Sequence, residues 1–313
     1  MDYCNLALFS DLDGTLLDRN RQVSRENREA LAHFIAGGGL FGISTGRAPM
    51  NALELLPGVP INTWSVVLNG AEAYRYQTGT VAFPRVLPQL RATMLLQWVL
   101  ERLPQVNVLL CSESRLFFLS PQDLADPDFL ATHQPCTFTG LEAALCYPWL
   151  KLLFAAPRPI LERLEGWAVD HSILEVMDRV YTSPTYLEFL PRGVHKGRCL
   201  RDLRCLDVLR GRRMVAVGDY TNDLELLAEA DISVAVANAL PEVRETAPVP
   251  DLPLRLVSAF GRIFGVMKLV LYLGRIGALG ILRLMAQSSN YVRGIDAELE
   301  DGRLFFALSA FLV

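Results

Sequence analysis

At 313 residues the chain is long enough for about two domains, with a core that needs neither disulfides nor structural metals. Hydrophobic residues make up 51% and charged residues 20%, which excludes a disordered or low-complexity chain. The formal charge of −4, from 30 Lys+Arg against 34 Asp+Glu, argues against a nucleic-acid binder. The opening stretch MDYCNLALFSDLDG lacks a basic n-region, and its apolar run is too short for a signal peptide. Six dispersed cysteines, with no C-x-x-C pair and no His partners at zinc spacing, read as reduced thiols in a cytoplasmic protein.

In chain order, Leu6 to Phe9 is an apolar run that ends in an acidic, Gly-containing turn. Ser24 is placed to cap a helix through Ile35, with Glu26 favourable in its first turn. Gly37, Gly38 and Gly39 end that helix. Leu40 to Ser44 and Trp64 to Leu68 follow as second and third strands. Nearly unbroken apolar strands separated by helices predict right-handed βαβ units and a parallel sheet buried on both faces.

The pattern then changes. Ala73 to Phe83 reads as a hairpin around Gln77-Thr78-Gly79, and Gln89 to Leu103 as a helix. Val106 to Cys111 and Leu116 to Leu119 read as strands, and 121–148 is the least regular stretch. Trp149 to Ala155 is a predicted strand, Ile160 to Ala168 a helix, and Ile173 to Met177 and Tyr186 to Leu190 further strands. The α/β rhythm resumes with a helix from Lys196 to Leu206, a strand from Met214 to Val217, a helix from Asn222 to Glu229 and a strand from Ile232 to Val236. Residues 1–84 and 191–247 are therefore expected to form one α/β domain, with 85–190 an α+β domain inserted into it.

Asp11 and Asp13, in Asp11-Leu12-Asp13-Gly14-Thr15, lie two residues apart after the first strand, so an extended backbone points both to one side. Open α/β sheets bind ligands at this carboxyl end of their strands. Two such carboxylates repel unless a cation separates them or one keeps its proton, and either state serves nucleophilic or acid chemistry. A solvated acidic turn is the alternative. Gly218-Asp219-Tyr220-Thr221-Asn222-Asp223 is a second acidic turn after an apolar strand. Asp219 and Asp223 stand one helical turn apart, able to hold a hard divalent cation; a helix cap is the alternative for Asp219. Ser44-Thr45-Gly46-Arg47, at a strand end, offers a hydroxyl and backbone N–H groups to an anion such as phosphate. Lys196, in His195-Lys196-Gly197 at a helix start, supplies a positive charge for phosphate or carboxylate oxygens, unless it is a surface lysine.

Taken together, D-x-D-G-T, T-G-R, K-G and G-D-x-x-N-D, in this order, make the sequence resemble the haloacid dehalogenase (HAD) superfamily of phosphohydrolases, in its Cof-like branch, subfamily IIB. Leu68-Asn69-Gly70-Ala71 and Tyr186 to Pro191 with Gly193 and Lys196 add to the resemblance, as does ADISVAVANALPEVRETA from Ala230; Tyr220 stands where Gly is common. The resemblance covers residues 5–247. It implies a Rossmann-like parallel-sheet core, with 85–190 as a cap. It further implies a Mg²⁺-dependent phosphatase in which Asp11 attacks phosphorus and forms an aspartyl-phosphate. Asp13 would protonate the leaving oxygen and then activate water. Mg²⁺ would be held by Asp11, the Asp13 backbone carbonyl and Asp219, with Asp223 near or bonded through water. Thr45 and Lys196 would bind phosphoryl oxygens, with Gly46 and Arg47 in the same turn and with Asn69 and Asn222 as further contributors. The implied substrate is a sugar phosphate or another small phosphorylated metabolite. A phosphomutase shares this chemistry, and a non-catalytic phosphometabolite-binding protein would share the pocket.

Residues 248–313 depart from the family's ending. Between Leu254 and Met285, Arg255, Arg262, Lys268, Arg275 and Arg283 interrupt every apolar run well short of the ~18 residues of a membrane span. Three readings stay open: a divergent tail packed on the core or at an oligomer contact, a shifted reading frame, and membrane association.

Overall fold

The computed structural model describes residues 2–113, 115–121, 125–133 and 135–246, together with the strands Val270–Tyr272, Ile295–Glu300 and Arg303–Leu308. Two compact units result: one of the residues up to Ile43, Gly58–Thr63 and those from Val208 on, the other of Ser44–Pro57 and Trp64–Asp207.

The first unit is built on a parallel sheet ordered Ile232–Ala235, Arg213–Gly218, Leu6–Ser10, Leu40–Ile43. Apart from Arg213 its strand residues are all buried, which is why the runs LALFS and MVAVG carry almost no polar side chain. The register pairs Phe9 with both Ala216 and Gly42, and Val217 with Val234. The Arg25–Ala36 helix starts as expected, with the Ser24 hydroxyl oxygen accepting from the Asn27 N–H at 3.1 Å, and buries Leu31 and Phe34. In the tail the strand 303–308 pairs antiparallel with both 270–272 and 295–300. Apart from Val270–Tyr272, the charge pattern of 254–285 lies outside the described residues. Among the described residues no helix is long and apolar enough to cross a membrane.

The second unit contains a six-stranded mixed sheet, ordered Met177–Ser183, Tyr186–Pro191, Lys151–Ala155, Asn107–Cys111, Leu116–Phe118, Thr137–Phe138. Alternation along its strands builds two cores. Leu152, Phe154 and Phe189 face the helices Gln89–Arg102 and Arg158–Asp170, through Leu95, Val99, Leu161 and Leu164. Leu153, Ala155 and Leu190 face the opposite way, toward Leu68, Phe118 and Phe129. Thus the parallel sheet and the additional α/β region expected from the sequence are both present.

Two local expectations are corrected. The third apolar run, expected in the parallel sheet, forms Ser65–Val67 in a separate antiparallel sheet with Glu72–Arg75 and Thr80–Ala82. Among the described residues a single parallel bridge, Ser44 with Val66, follows the expected direction, while the antiparallel ladder runs the whole length of Ser65–Val67. Ile173 to Met177 is not a strand. Ser172 enters the left-handed region at φ 55°, a 3₁₀ turn covers Ile173–Glu175, and the strand begins at Met177. Ile173 and Met177 are both fully buried, so the apolar spacing reflects a turn and not an alternation.

Glu72, first residue of its strand, is fully buried, and neither carboxylate oxygen has a hydrogen-bond partner among the described residues. Burial pushes its carboxyl from the ordinary 4.5 up to about 8, and the charge of Glu113 adds to the shift. The folded chain keeps this proton where the unfolded chain has released it. Stability from this group is therefore complete below about pH 4.5 and is lost as pH rises toward 8. Glu72→Gln should remove that slope. Urea unfolding across pH 5 to 8 should show the variant gaining on the wild type by about 1 kcal/mol per pH unit; a constant difference would contradict the assignment.

Candidate active site

The parallel register brings the acidic turns together. Leu6–Ser10 and Arg213–Gly218 run side by side, and the Asp11 N–H continues their ladder by donating to the Val217 carbonyl at 2.9 Å. Asp11 and Asp219 therefore leave adjacent strands at the same edge of the sheet. One carboxylate oxygen each from Asp11, Asp219 and Asp223 lies within 4.8 Å of the others, and all three residues are buried. Asp13 stands exposed on the same loop, and Asn222 is half-buried in the 3₁₀ turn Thr221–Asp223 that precedes the helix Leu224–Glu229.

Each acid on the second strand is held from a different direction. The Thr15 hydroxyl donates to Asp219 Oδ1 at 2.6 Å. Asp223 Oδ2 accepts the backbone N–H of Asp219 at 3.1 Å and of Tyr220 at 3.4 Å, so this acid caps its own turn. Tyr220 contributes its backbone there with φ −121°, so the position does not require the Gly common in the family. Gly14 is different. Its φ is +82°, and a Cβ would lie 2.4 Å from Asp219 Oδ2, so only glycine lets the loop approach this closely. Asn238 Nδ2 donates to the Gly14 carbonyl at 2.7 Å and fixes the loop from behind.

Three buried carboxylates at this separation repel one another unless a cation or protons lie among them. Their donor set, hard oxygens alone, fits Mg²⁺.

The second unit gathers the other sequence-predicted residues. Thr45 is buried, and its hydroxyl oxygen accepts from the Arg47 N–H at 3.1 Å, folding the Thr45-Gly46-Arg47 turn on itself. The next turn docks on it: the Asn69 N–H donates to the Thr45 carbonyl and the Leu68 N–H to the Arg47 carbonyl, both at 3.0 Å. Leu68, Asn69 and Gly70 have φ of 50°, 54° and 93°, three consecutive left-handed residues. At Gly70 a Cβ would lie 2.3 Å from the His195 carbonyl oxygen, so this turn also abuts the start of the Lys196–Leu203 helix. Lys196, for which a surface position was the alternative, is fully buried there. His195 caps its helix, with Nδ1 accepting from the Arg198 N–H at 3.2 Å.

Sequence reasoning gave no role to Thr15 and Asn238, which hold the acidic loops, or to Lys151 and Glu188. The last two did leave a signal: each is the lone charge in a buried apolar strand, KLLFA and YLEFLP.

A family model for haloacid dehalogenase-like hydrolases matches residues 8–249. The chain belongs to this family. The hydrolase is 28% identical over 249 residues to an HMP-PP phosphatase of Yersinia enterocolitica, covering 78% of this chain and 87% of that one. It is 26% identical over 243 residues to a 5-amino-6-(5-phospho-D-ribitylamino)uracil phosphatase of Bacillus subtilis, with 76% and 86% covered. Among solved structures, a haloacid dehalogenase-like hydrolase from Bacteroides thetaiotaomicron matches with a TM-score of 0.67 at 22% identity, over 77% of this chain and 91% of that one. A sugar phosphatase of HAD subclass IIB matches with a TM-score of 0.66 at 20% identity, over 82% and 99%. These curated relatives are phosphatases, and the hydrolase is an enzyme of that kind.

Because Thr15 fixes Asp219 Oδ1, replacing it by the isosteric Val should weaken divalent-cation binding. Calorimetric titration with Mg²⁺ should show a loss of about 10- to 100-fold with the fold retained. An unchanged affinity would show that this hydroxyl does not support the acidic cluster.

Proposed function

We propose that this hydrolase is a Mg²⁺-dependent phosphatase acting on a small phosphorylated metabolite through an aspartyl-phosphate on Asp11. The observation that carries the reading is the group of three buried carboxylates at the ends of adjacent parallel strands. Asp11, Asp219 and Asp223 would hold the cation, with the Asp13 backbone carbonyl as a further ligand. Bound there, Mg²⁺ would offset the mutual repulsion of the carboxylates and attract the charge of a phosphoryl group.

The Asp11 carboxylate attacks phosphorus while the ester P–O bond breaks, which divides one slow hydrolysis into two displacements. Asp13 stands exposed on the same loop. It gives its proton to the departing oxygen and then takes one from the water that cleaves the acyl phosphate. The Thr45 hydroxyl, Gly46, Arg47 and the Lys196 ammonium bind phosphoryl oxygens, with Asn69 and Asn222 supporting this shell. Phosphoryl transfer asks the protein chiefly for alignment and charge neutralisation, which this inventory of groups supplies. Residues 85–190 act as the cap that selects the ester.

A panel of phosphate esters assayed with and without Mg²⁺ tests the reading; release of inorganic phosphate is expected, whereas an isomeric ester as product would mark a mutase. On the best ester, Asp11→Asn should lower kcat by about 10³-fold or more with an unchanged circular-dichroism spectrum. Asp13→Asn should lower it by about 10²- to 10⁴-fold. A folded Asp11→Asn protein turning over at the wild-type rate would remove the proposed nucleophile.

A further inference from the structure

Inside the second unit, four side chains form a buried polar chain that ends on the Thr45-Gly46-Arg47 turn. Lys151 Nζ donates to the Gly46 carbonyl at 2.6 Å and pairs with Glu188 Oε2 at 3.0 Å. The same Oε2 accepts from Asn69 Nδ2 at 2.6 Å, and Oε1 accepts from the Thr182 hydroxyl at 3.1 Å. Lys151, Glu188 and Asn69 are at most 3% exposed. Glu188 lies opposite Leu153 in the antiparallel register, so Lys151, two residues earlier, is its diagonal neighbour on the same face of the sheet. The contact is tight on the turn side as well: a Cβ on Gly46 would lie 2.9 Å from Asn69 Nδ2.

We infer that Lys151 and Glu188 are positioning residues for the phosphate-binding turn, with Lys151 anchoring the Gly46 carbonyl and Glu188 orienting the Asn69 amide. The inference rests on the proposed role of Thr45, Gly46 and Arg47. A buried ion pair is a poor stabiliser compared with an apolar pair of similar volume, because desolvation offsets most of the attraction. This pair sits where its hydrogen bonds reach two loop turns at once, the Gly46 carbonyl of one and the Asn69 amide of the other. The 68–70 turn is left-handed at Leu68 and Asn69, conformations that persist in non-glycine residues only when the surroundings over-determine them. With Gly46 held by its carbonyl and Asn69 by its amide, the turn keeps its shape for an anion before one arrives, and that order is not assembled on binding.

The test is a Lys151→Met/Glu188→Met double variant, which removes both charges together and leaves no unpaired ion. The best ester from the panel gives KM and kcat, and inorganic phosphate serves as competitive inhibitor. The expected result is an unchanged or higher Tm with KM and the phosphate inhibition constant raised about 10- to 100-fold, while the Mg²⁺ concentration for half-maximal activity stays within about twofold. A merely structural pair would move Tm and leave the phosphate constant alone; that outcome overturns the inference. Should the double variant not fold, the wild-type protein still decides. Titration with inorganic phosphate should shift the NMR resonances of the Gly46 and Arg47 amides and of the Asn69 side chain together, and an Asn69 side chain that stays fixed overturns the inference. A wild-type protein that hydrolyses no ester and binds no phosphate sinks the functional reading itself, a result visible before any variant is made.

Discussion

Crowding of negative charge is the constraint around which the first unit is organised. Asp11, Asp219 and Asp223 are buried with their oxygens inside a 4.8 Å radius of one another, a placement that a folded chain adopts only at a cost in desolvation and repulsion. The parallel ladder imposes it, because two strands in register must release their next residues at the same edge. The chain then spends local hydrogen bonds to keep each acid in place: a hydroxyl for Asp219 and two backbone N–H groups for Asp223. Those bonds hold the three oxygens where a single cation could meet them.

The second unit handles buried polarity in the opposite sense. The turns around Thr45 and Asn69 and the helix start at Lys196 carry a different cost: left-handed residues, a glycine packed against the His195 carbonyl, and a lysine with no exposed surface. Each of these departs from what local propensity alone would select. Such departures tend to concentrate where a geometry is needed that packing would not choose, and here they fall on Leu68 to Gly70 and Lys196, in motifs the sequence had already marked.

Much of the architecture was legible in the sequence because strands buried on both faces leave an unbroken apolar signature and because acidic turns directly after such runs have few structural explanations. Ser24 was readable as a cap for the same local reason. What could not be read was which neighbour a strand would choose. Ser65–Val67 has the composition of a parallel strand, yet the hairpin partner five residues on is available at lower loop-closure cost. Spacing also misled at Ile173 and Met177, where a left-handed Ser172 converts an apparent strand into a turn. The site's supports were harder still. Asn69 and Glu188 meet across 119 residues of sequence, and no periodicity reports such a pairing.

Two buried glutamates of the second unit show why those long-range supports matter. Glu188 receives a lysine, an amide and a hydroxyl; Glu72, equally buried, receives no hydrogen bond among the described residues and holds its proton up to about pH 8. The same side chain is thus a fully partnered ion in one strand and a neutral orphan in another. If burial alone decided how this unit treats a carboxyl, both would be orphans, since the sheet offers each an apolar setting. Both strands are fixed by ladders on either side; the difference is that the partners of Glu188 also reach the Gly46 and Asn69 turns. Full hydrogen bonding of a buried charge is therefore found beside the turn that the motifs single out.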